Sequence, residues 1–121
     1  MDFSFTQDQD ELRNHARDLF AAKCPPEYVE ACDREHQPPR EAYEAVAEQG
    51  WLGLIVPEEY GGAGGSAIDV AILLEEAGRH FEELAMWMFR TMTYGGYSVM
   101  AHGNTEQKER FLPKIAKGDI S

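Results

Sequence analysis

Apolar residues recur at helical spacing along most of the chain, and no stretch alternates apolar and polar residues with the period of two that strands show. The first predicted helix covers residues 6–23, and its Leu12, Ala16 and Phe20 form one apolar stripe. The other predicted helices cover residues 27–35, 39–49, 66–79, 83–101 and 105–117. The pattern therefore predicts an all-α fold, a bundle of five to six helices of which two are central.

Residues that favour helix ends mark several of these boundaries. Thr6 and Asn104 each begin a capping box with a glutamine three residues later, and Ser66 is placed to cap the fourth helix. Gly50 is predicted to end the third helix in the left-handed conformation. Pro113 lies inside the sixth predicted helix, so we expect that helix to kink or to split into two short pieces.

The fourth and fifth predicted helices are the most apolar. Residues 67–74 of the fourth are apolar on nearly all sides, which is typical of a helix surrounded by others. The fifth is apolar on two faces and carries Gly95 and Gly96 in its middle, at a cost on the order of 1 kcal/mol each relative to alanine. Tight packing against another helix, which the spacing favours, or an elongated apolar cavity along this helix would explain the glycine pair.

A connector, residues 50–65, separates the third helix from the fourth. Its first half is apolar and should anchor it in the core, and its glycine-rich second half should reverse the chain. A phosphate-binding loop is the alternative, but no lysine follows the glycines and Ser66 is placed as a helix cap. The pattern favours a structural connector.

Charge and composition narrow the classes of partner. The formal net charge is −11, and such an acidic chain repels nucleic acids and anionic lipid surfaces, so we expect neither as a partner. No apolar run approaches the ~20 residues of a membrane-spanning helix, and the first residues do not resemble a secretory signal. Cys24 and Cys32 are expected to be free thiols in a reducing compartment, which predicts a cytoplasmic protein.

Few side-chain combinations suggest catalysis or metal binding. Glu75, Glu76 and His80 could suggest a metal site, but a di-iron bundle needs Glu-x-x-His on each of two helices. An exposed end of the fourth helix explains them better, so no metal site is predicted. His15 and His102 have no nucleophile or carboxylate at catalytic spacing, so we assign no catalytic residue in this chain.

Four segments are distinctive by their sequence. They are Phe3-Ser-Phe-Thr-Gln-Asp-Gln-Asp-Glu-Leu12, Gly50-Trp-Leu-Gly53 with Val56-Pro-Glu-Glu-Tyr-Gly-Gly-Ala-Gly64, Leu74-Glu-Glu-Ala77, and Gly103-Asn-Thr-Glu-Gln-Lys-Glu-Arg-Phe-Leu-Pro-Lys-Ile-Ala-Lys-Gly-Asp119. In this order and at this spacing they resemble the N-terminal helical domain of the acyl-CoA dehydrogenase family, and the resemblance covers the whole chain.

The resemblance implies an enzyme that oxidises acyl-CoA thioesters to trans-2-enoyl-CoA with bound FAD and passes the electrons to an electron-transferring flavoprotein or a similar acceptor. It also implies a homodimer or homotetramer whose subunit has this helical domain, a middle β-domain and a C-terminal helical domain. The sequence stops at Ser121, before the segment expected to contact FAD and before the catalytic glutamate. Residues 1–121 are therefore expected to form a single helical domain that is inactive alone.

In the family, the helix that matches residues 83–101 lines the acyl pocket, and by position Met86, Arg90, Thr91 and Tyr94 are the candidates. Arg90 fits a long aliphatic tail poorly, because burying an unpaired charge is costly. Either the pocket is short or polar at that point, or Arg90 points outward and pairs. A free-standing helical binding module without redox activity is the alternative function.

Overall fold

The computed structural model describes residues 1–120 and confirms the predicted all-α fold; no strand occurs in this range. The α-helices are α1 (Gln7–Lys23), α2 (Pro26–Glu35), α3 (Arg40–Glu48), α4 (Ala67–His80), α5 (Glu82–Phe89), α6 (Ser98–His102) and α7 (Thr105–Lys117). A π-helical segment, Arg90–Tyr97, joins α5 to α6, and two short 3-10 turns, Trp51–Gly53 and Glu58–Tyr60, lie in the connector. None of the described helices is long and apolar enough to span a membrane.

The predicted helix ends are confirmed. Thr6, Ser66 and Asn104 each form a complete capping box with the third residue of the helix that follows. Gly50 follows α3 with φ of 75°, a conformation that glycine adopts without the steric cost other residues incur. These signals involve residues three or four apart, which is why the sequence alone identifies them.

Pro113 does not divide the last helix, so the expected split is wrong. The helix α7 runs unbroken from Thr105 to Lys117 with Pro113 inside it. A proline at this position leaves the carbonyl of Glu109 without its helical donor, but Glu109 is exposed and water can satisfy that carbonyl.

The main core lies between α1, α4 and α5 and is closed by α3 and the connector. Phe20, Leu73 and Met88 are fully buried there. Helix α4 packs against both α1 and α5, as expected of a central helix, although Ile68 at the start of α4 stays 54% exposed. A smaller core forms where α7 packs on the connector, around Leu112.

The connector folds back on itself through its own backbone. The N–H groups of residues 62–65 donate to carbonyls in its first half at 2.6–3.2 Å. A Cβ atom at Gly62 would overlap the carbonyl oxygen of Val56, so this return of the chain requires glycine. Because these N–H groups are already bonded, the loop has no cradle for a phosphate, and the structural interpretation is confirmed.

The segments α5, Arg90–Tyr97 and α6 form one continuous helical rod, which we call the long helix (residues 82–102). Its junction residues Phe89 and Tyr97 both have helical φ and ψ. The predicted helix over residues 83–101 is thus confirmed, but its π-helical middle is not foreseen by the spacing. Gly95 and Gly96 lie in this segment, and a Cβ atom at either would be 3.7 Å from Ile115 of α7, an ordinary contact.

Candidate functional site

The long helix has a buried side and an open side. Its buried side chains face the cores between the other helices, and they are Leu84, Met88, Thr91 and Met92. Large side chains at Met86, Tyr94 and Tyr97 are 37%, 68% and 54% exposed, and Arg90 is exposed beside them. We call the surface formed by Met86, Arg90, Tyr94 and Tyr97 the open face.

The open face is continuous because its residues are spaced by three or four positions. Met86, Arg90 and Tyr94 follow one another at steps of four, so each lies one turn above the last. The Tyr94 ring contacts Phe89 edge to face, with centroids 5.0 Å apart, which holds the tyrosine against the helix. A row of large apolar groups at this exposure is typical of a surface that a ligand or another protein surface covers.

Arg90 is the one charged residue between positions 84 and 101. Its neighbours one turn away are Met86 and Tyr94, so no acid on the same helix can pair with it at that spacing. Among residues 1–120 it takes part in no ion pair. The ion pair expected of an outward-pointing Arg90 is therefore not found within the described residues.

Thr91 lies apart from the other three candidate residues. It is 1% exposed, and its Oγ1 atom is 2.7 Å from the hydroxyl of Tyr43 and donates to the carbonyl of Trp87. The tyrosine hydroxyl is therefore the donor in the first bond, and burial raises the pKa of Tyr43. The structure thus groups Met86, Arg90 and Tyr94 and gives Thr91 a bond that ties the long helix to α3.

A small recess opens beside Thr91, between the π-helical segment and α7. Its volume is about 270 Å³, and its walls are almost wholly apolar. It is lined by Thr91, Gly95, Val99, Phe111, Ile115 and Ile120. Gly95 directly follows Tyr94, so the recess lies roughly a quarter turn around the long helix from the open face. The glycine pair pointed to this place in the sequence, but nothing in the sequence indicated that α7 forms the far wall.

A larger open cavity of about 500 Å³ lies between the end of α2 and the start of α5. His36 borders it in the left-handed conformation, with φ of 52°. The indole N–H of Trp87 donates to Glu83 across its wall at 2.9 Å. No sequence motif points to this cavity.

The three residues considered for a metal site have structural partners instead. Glu76 is buried and accepts two hydrogen bonds from the Arg17 guanidinium, which lowers the pKa of the carboxyl group. Glu75 pairs with Arg79 at 2.7 Å, and the Nδ1 atom of His80 is 3.0 Å from the Glu76 carbonyl. The expectation that all three lie at an exposed helix end is therefore wrong for Glu76.

The comparisons with known proteins agree on one family. The model described as "Acyl-CoA dehydrogenase, N-terminal domain" matches residues 6–119. Acyl-CoA dehydrogenase FadE26 of Mycobacterium tuberculosis is 37% identical over 99% of this chain and 31% of its own length. Acryloyl-CoA reductase (NADH) of Anaerotignum propionicum is 34% identical over 98% of this chain and 29% of its own length.

A solved structure gives the same result. A chain in the structure of the electron transferring flavoprotein of Acidaminococcus fermentans superposes with a TM-score of 0.88 and 30% identity, over 98% of this chain and 31% of that one. The chain thus spans about 30% of the length of the proteins it matches.

Proposed function

The chain belongs to the acyl-CoA dehydrogenase family, whose N-terminal domain it represents, and we propose that it forms one wall of the acyl-binding pocket in an FAD-dependent enzyme. The proposed reaction converts an acyl-CoA thioester to the trans-2-enoyl-CoA, as in fatty acid metabolism. The observation that carries this proposal is the open face of the long helix, where Met86 and Tyr94 stay exposed on a domain whose other helices bury most of their apolar groups.

The chemistry of the open face suits a flexible acyl chain. Ligand pockets are mostly apolar with a few polar groups that fix orientation, and the open face has two tyrosine hydroxyls and one guanidinium among apolar surface. Met86 can adapt its unbranched side chain to different tails. Thr91 would contribute from the floor of the recess, while its hydroxyl stays bonded to Tyr43.

FAD would accept the hydride from the β-carbon of the substrate when it is bound. The glycine-rich connector offers it no phosphate cradle, because its N–H groups are bonded internally. We therefore assign no FAD-binding residue to this chain. Its own contribution would be to bind the acyl group, hold it in place and keep water away from it.

We further propose the partners of the whole enzyme. A middle β-domain and a second helical domain would cover the open face, and the subunits would form a homodimer or homotetramer. An electron-transferring flavoprotein would take up the electrons, which the match to a chain in a structure named for such a flavoprotein supports. A cytoplasmic location fits the two free thiols, Cys24 and Cys32.

A reductase running the same chemistry in reverse is the second candidate. The relative from Anaerotignum propionicum that is 34% identical is named acryloyl-CoA reductase (NADH), so this domain also occurs in an enzyme named for reduction. The two candidates share the acyl pocket and differ in the electron partner.

Anaerobic spectroscopy of the purified native protein tests the proposal. Hexanoyl-CoA added without oxygen should bleach the flavin absorption band if the protein is a dehydrogenase. Bleaching by NADH, followed by recovery of the band with hexenoyl-CoA, would favour the reductase. A protein that shows no flavin band, or whose band responds to none of these reagents, would contradict both and leave a helical binding module.

A further inference from the structure

We infer that Arg90 selects acyl-CoA thioesters whose acyl group itself ends in a carboxylate, so that the substrate class is the monothioesters of dicarboxylic acids. This inference rests on the proposed function, since it requires the open face to line the acyl pocket. It makes Arg90 a specificity-determining residue within that pocket.

The charge of Arg90 is isolated on the long helix. The chain has 22 acidic and 11 basic residues, yet the only charged residue from position 84 to 101 is basic. Arg17, Arg34 and Arg79 pair with glutamates, and Arg13 and Arg110 lie over phenylalanine rings. Among the described arginines, Arg40 and Arg90 have neither kind of partner. Arg90 stands on the open face without any such partner in residues 1–120.

Desolvation of the guanidinium also favours an anionic ligand. A pocket that closes over an acyl chain removes water from the open face, and an arginine that loses water without gaining an anion is strongly disfavoured. An acyl carboxylate would supply that anion from the substrate. Guanidinium and carboxylate groups match in shape and form two parallel hydrogen bonds, which are among the stronger polar contacts in proteins.

The charge also lies in the middle of the open face. Met86 lies one turn before Arg90 and Tyr94 one turn after it, so the guanidinium interrupts an otherwise apolar row. An aliphatic tail passing along this row would have to lie against the charge. A dicarboxylic acyl group would place methylenes on the apolar residues and its terminal carboxylate at Arg90.

The same guanidinium could instead bind a phosphate of coenzyme A or an acidic side chain elsewhere in the enzyme. A phosphate contact would help every CoA thioester equally, whatever its acyl group. A contact to a protein carboxylate would contribute to stability and leave the choice of acyl group unchanged. Both alternatives are therefore separable from recognition of the acyl carboxylate.

The test compares adipyl-CoA with hexanoyl-CoA, which have acyl groups of the same carbon number, on the native holoenzyme. Steady-state kcat/KM and calorimetric Kd are measured for each thioester with wild type, Arg90→Gln and Arg90→Lys. Arg34→Gln is the matched control, because it removes a positive charge from an exposed pair on α2, which contributes no residue to the open face.

We expect wild type to prefer adipyl-CoA over hexanoyl-CoA. In Arg90→Gln the ratio of the two kcat/KM values should fall by roughly 10- to 100-fold, and the affinity for adipyl-CoA should fall in parallel. Arg90→Lys should retain part of the preference, because the charge stays while the two-bond geometry is lost. Arg34→Gln should leave the preference unchanged.

The inference would be overturned if Arg90→Gln affected the two thioesters equally, or if wild type did not prefer adipyl-CoA. In either case, turnover of hexanoyl-CoA would still support the proposed function. If neither thioester is bound or turned over, the proposed function fails as well.

Discussion

At the scale of single residues, the pair formed by Arg17 and Glu76 shows how one buried carboxylate is accommodated. Glu76 is almost fully buried, whereas the side chain of Arg17 is about half exposed, 48%. Two hydrogen bonds from the guanidinium compensate the carboxylate for its lost water. The sequence could not indicate this pair, because its members are 59 positions apart and each looks like an ordinary surface residue of its helix.

The same pair predicts a pH dependence of stability. The hydrogen bonds from Arg17 are the main reason why the pKa of Glu76 in the folded protein is below its ordinary value of 4.5. Because the folded pKa is the lower one, ionised Glu76 stabilises the fold above the ordinary value, and this contribution is lost as the pH falls through the folded pKa. Glu76→Gln should therefore cost about 1–2 kcal/mol of unfolding free energy at neutral pH, after allowance for the half-exposed Arg17.

Urea denaturation at about pH 7 and at roughly pH 3 measures this effect, and the gap between wild type and Glu76→Gln should shrink at the lower pH. The control is Glu75→Gln, since Glu75 pairs with Arg79 on the surface and should change stability by only about 0.5 kcal/mol. A gap that stays constant with pH would contradict the assigned ionisation.

Thr91 gives a second prediction at this scale. Thr91→Val keeps the shape of the side chain but removes the acceptor of the Tyr43 hydroxyl, so it should lower the unfolding free energy by about 1–3 kcal/mol. Thr93→Val is the matched control, because the Thr93 hydroxyl bonds only to the Phe89 carbonyl within the same helix. Chemical denaturation of both variants measures the difference, and equal losses would show that the bond to Tyr43 contributes little.

At the scale of elements, local signals were predicted well and distant contacts were not. The capping boxes at Thr6 and Asn104 were predicted because all their atoms lie within one turn of helix. The π-helical segment escaped prediction because the apolar spacing of residues 83–101 fits an ordinary α-helix equally well. The far wall of the recess was missed for a different reason, since Ile115 reaches Gly95 only through the packing of α7.

The connector provides a prediction that distinguishes two glycines one position apart. Gly62→Ala places a Cβ atom on the Val56 carbonyl oxygen, so the returning backbone must move, at a cost of about 3 kcal/mol or more. In Gly61→Ala the added Cβ atom contacts no other atom, but the alanine must adopt φ of 89°. This left-handed conformation should lower the unfolding free energy by about 1–2 kcal/mol. Thermal unfolding ranks the variants, and a smaller loss for Gly62→Ala than for Gly61→Ala would contradict the observed return of the chain.

At the scale of the whole molecule, the domain buries its long helix on one side and leaves the other side open. Residue spacing predicted the long helix, and the family resemblance pointed to Met86, Arg90, Thr91 and Tyr94 as a group. The structure keeps three of them together on the open face and turns Thr91 into the core. That division depends on Tyr43, which lies 48 positions away and cannot be inferred from the spacing of the long helix.

The chain-length profile of Tyr94→Ala tests whether the open face is a wall of the acyl pocket. Removing this 68% exposed ring should enlarge the pocket and raise kcat/KM for a twelve-carbon relative to a four-carbon acyl-CoA by about tenfold or more. Ile68→Ala, which shortens an exposed side chain on α4, should leave the profile unchanged. A Tyr94→Ala profile identical to that of wild type would contradict this role of the open face.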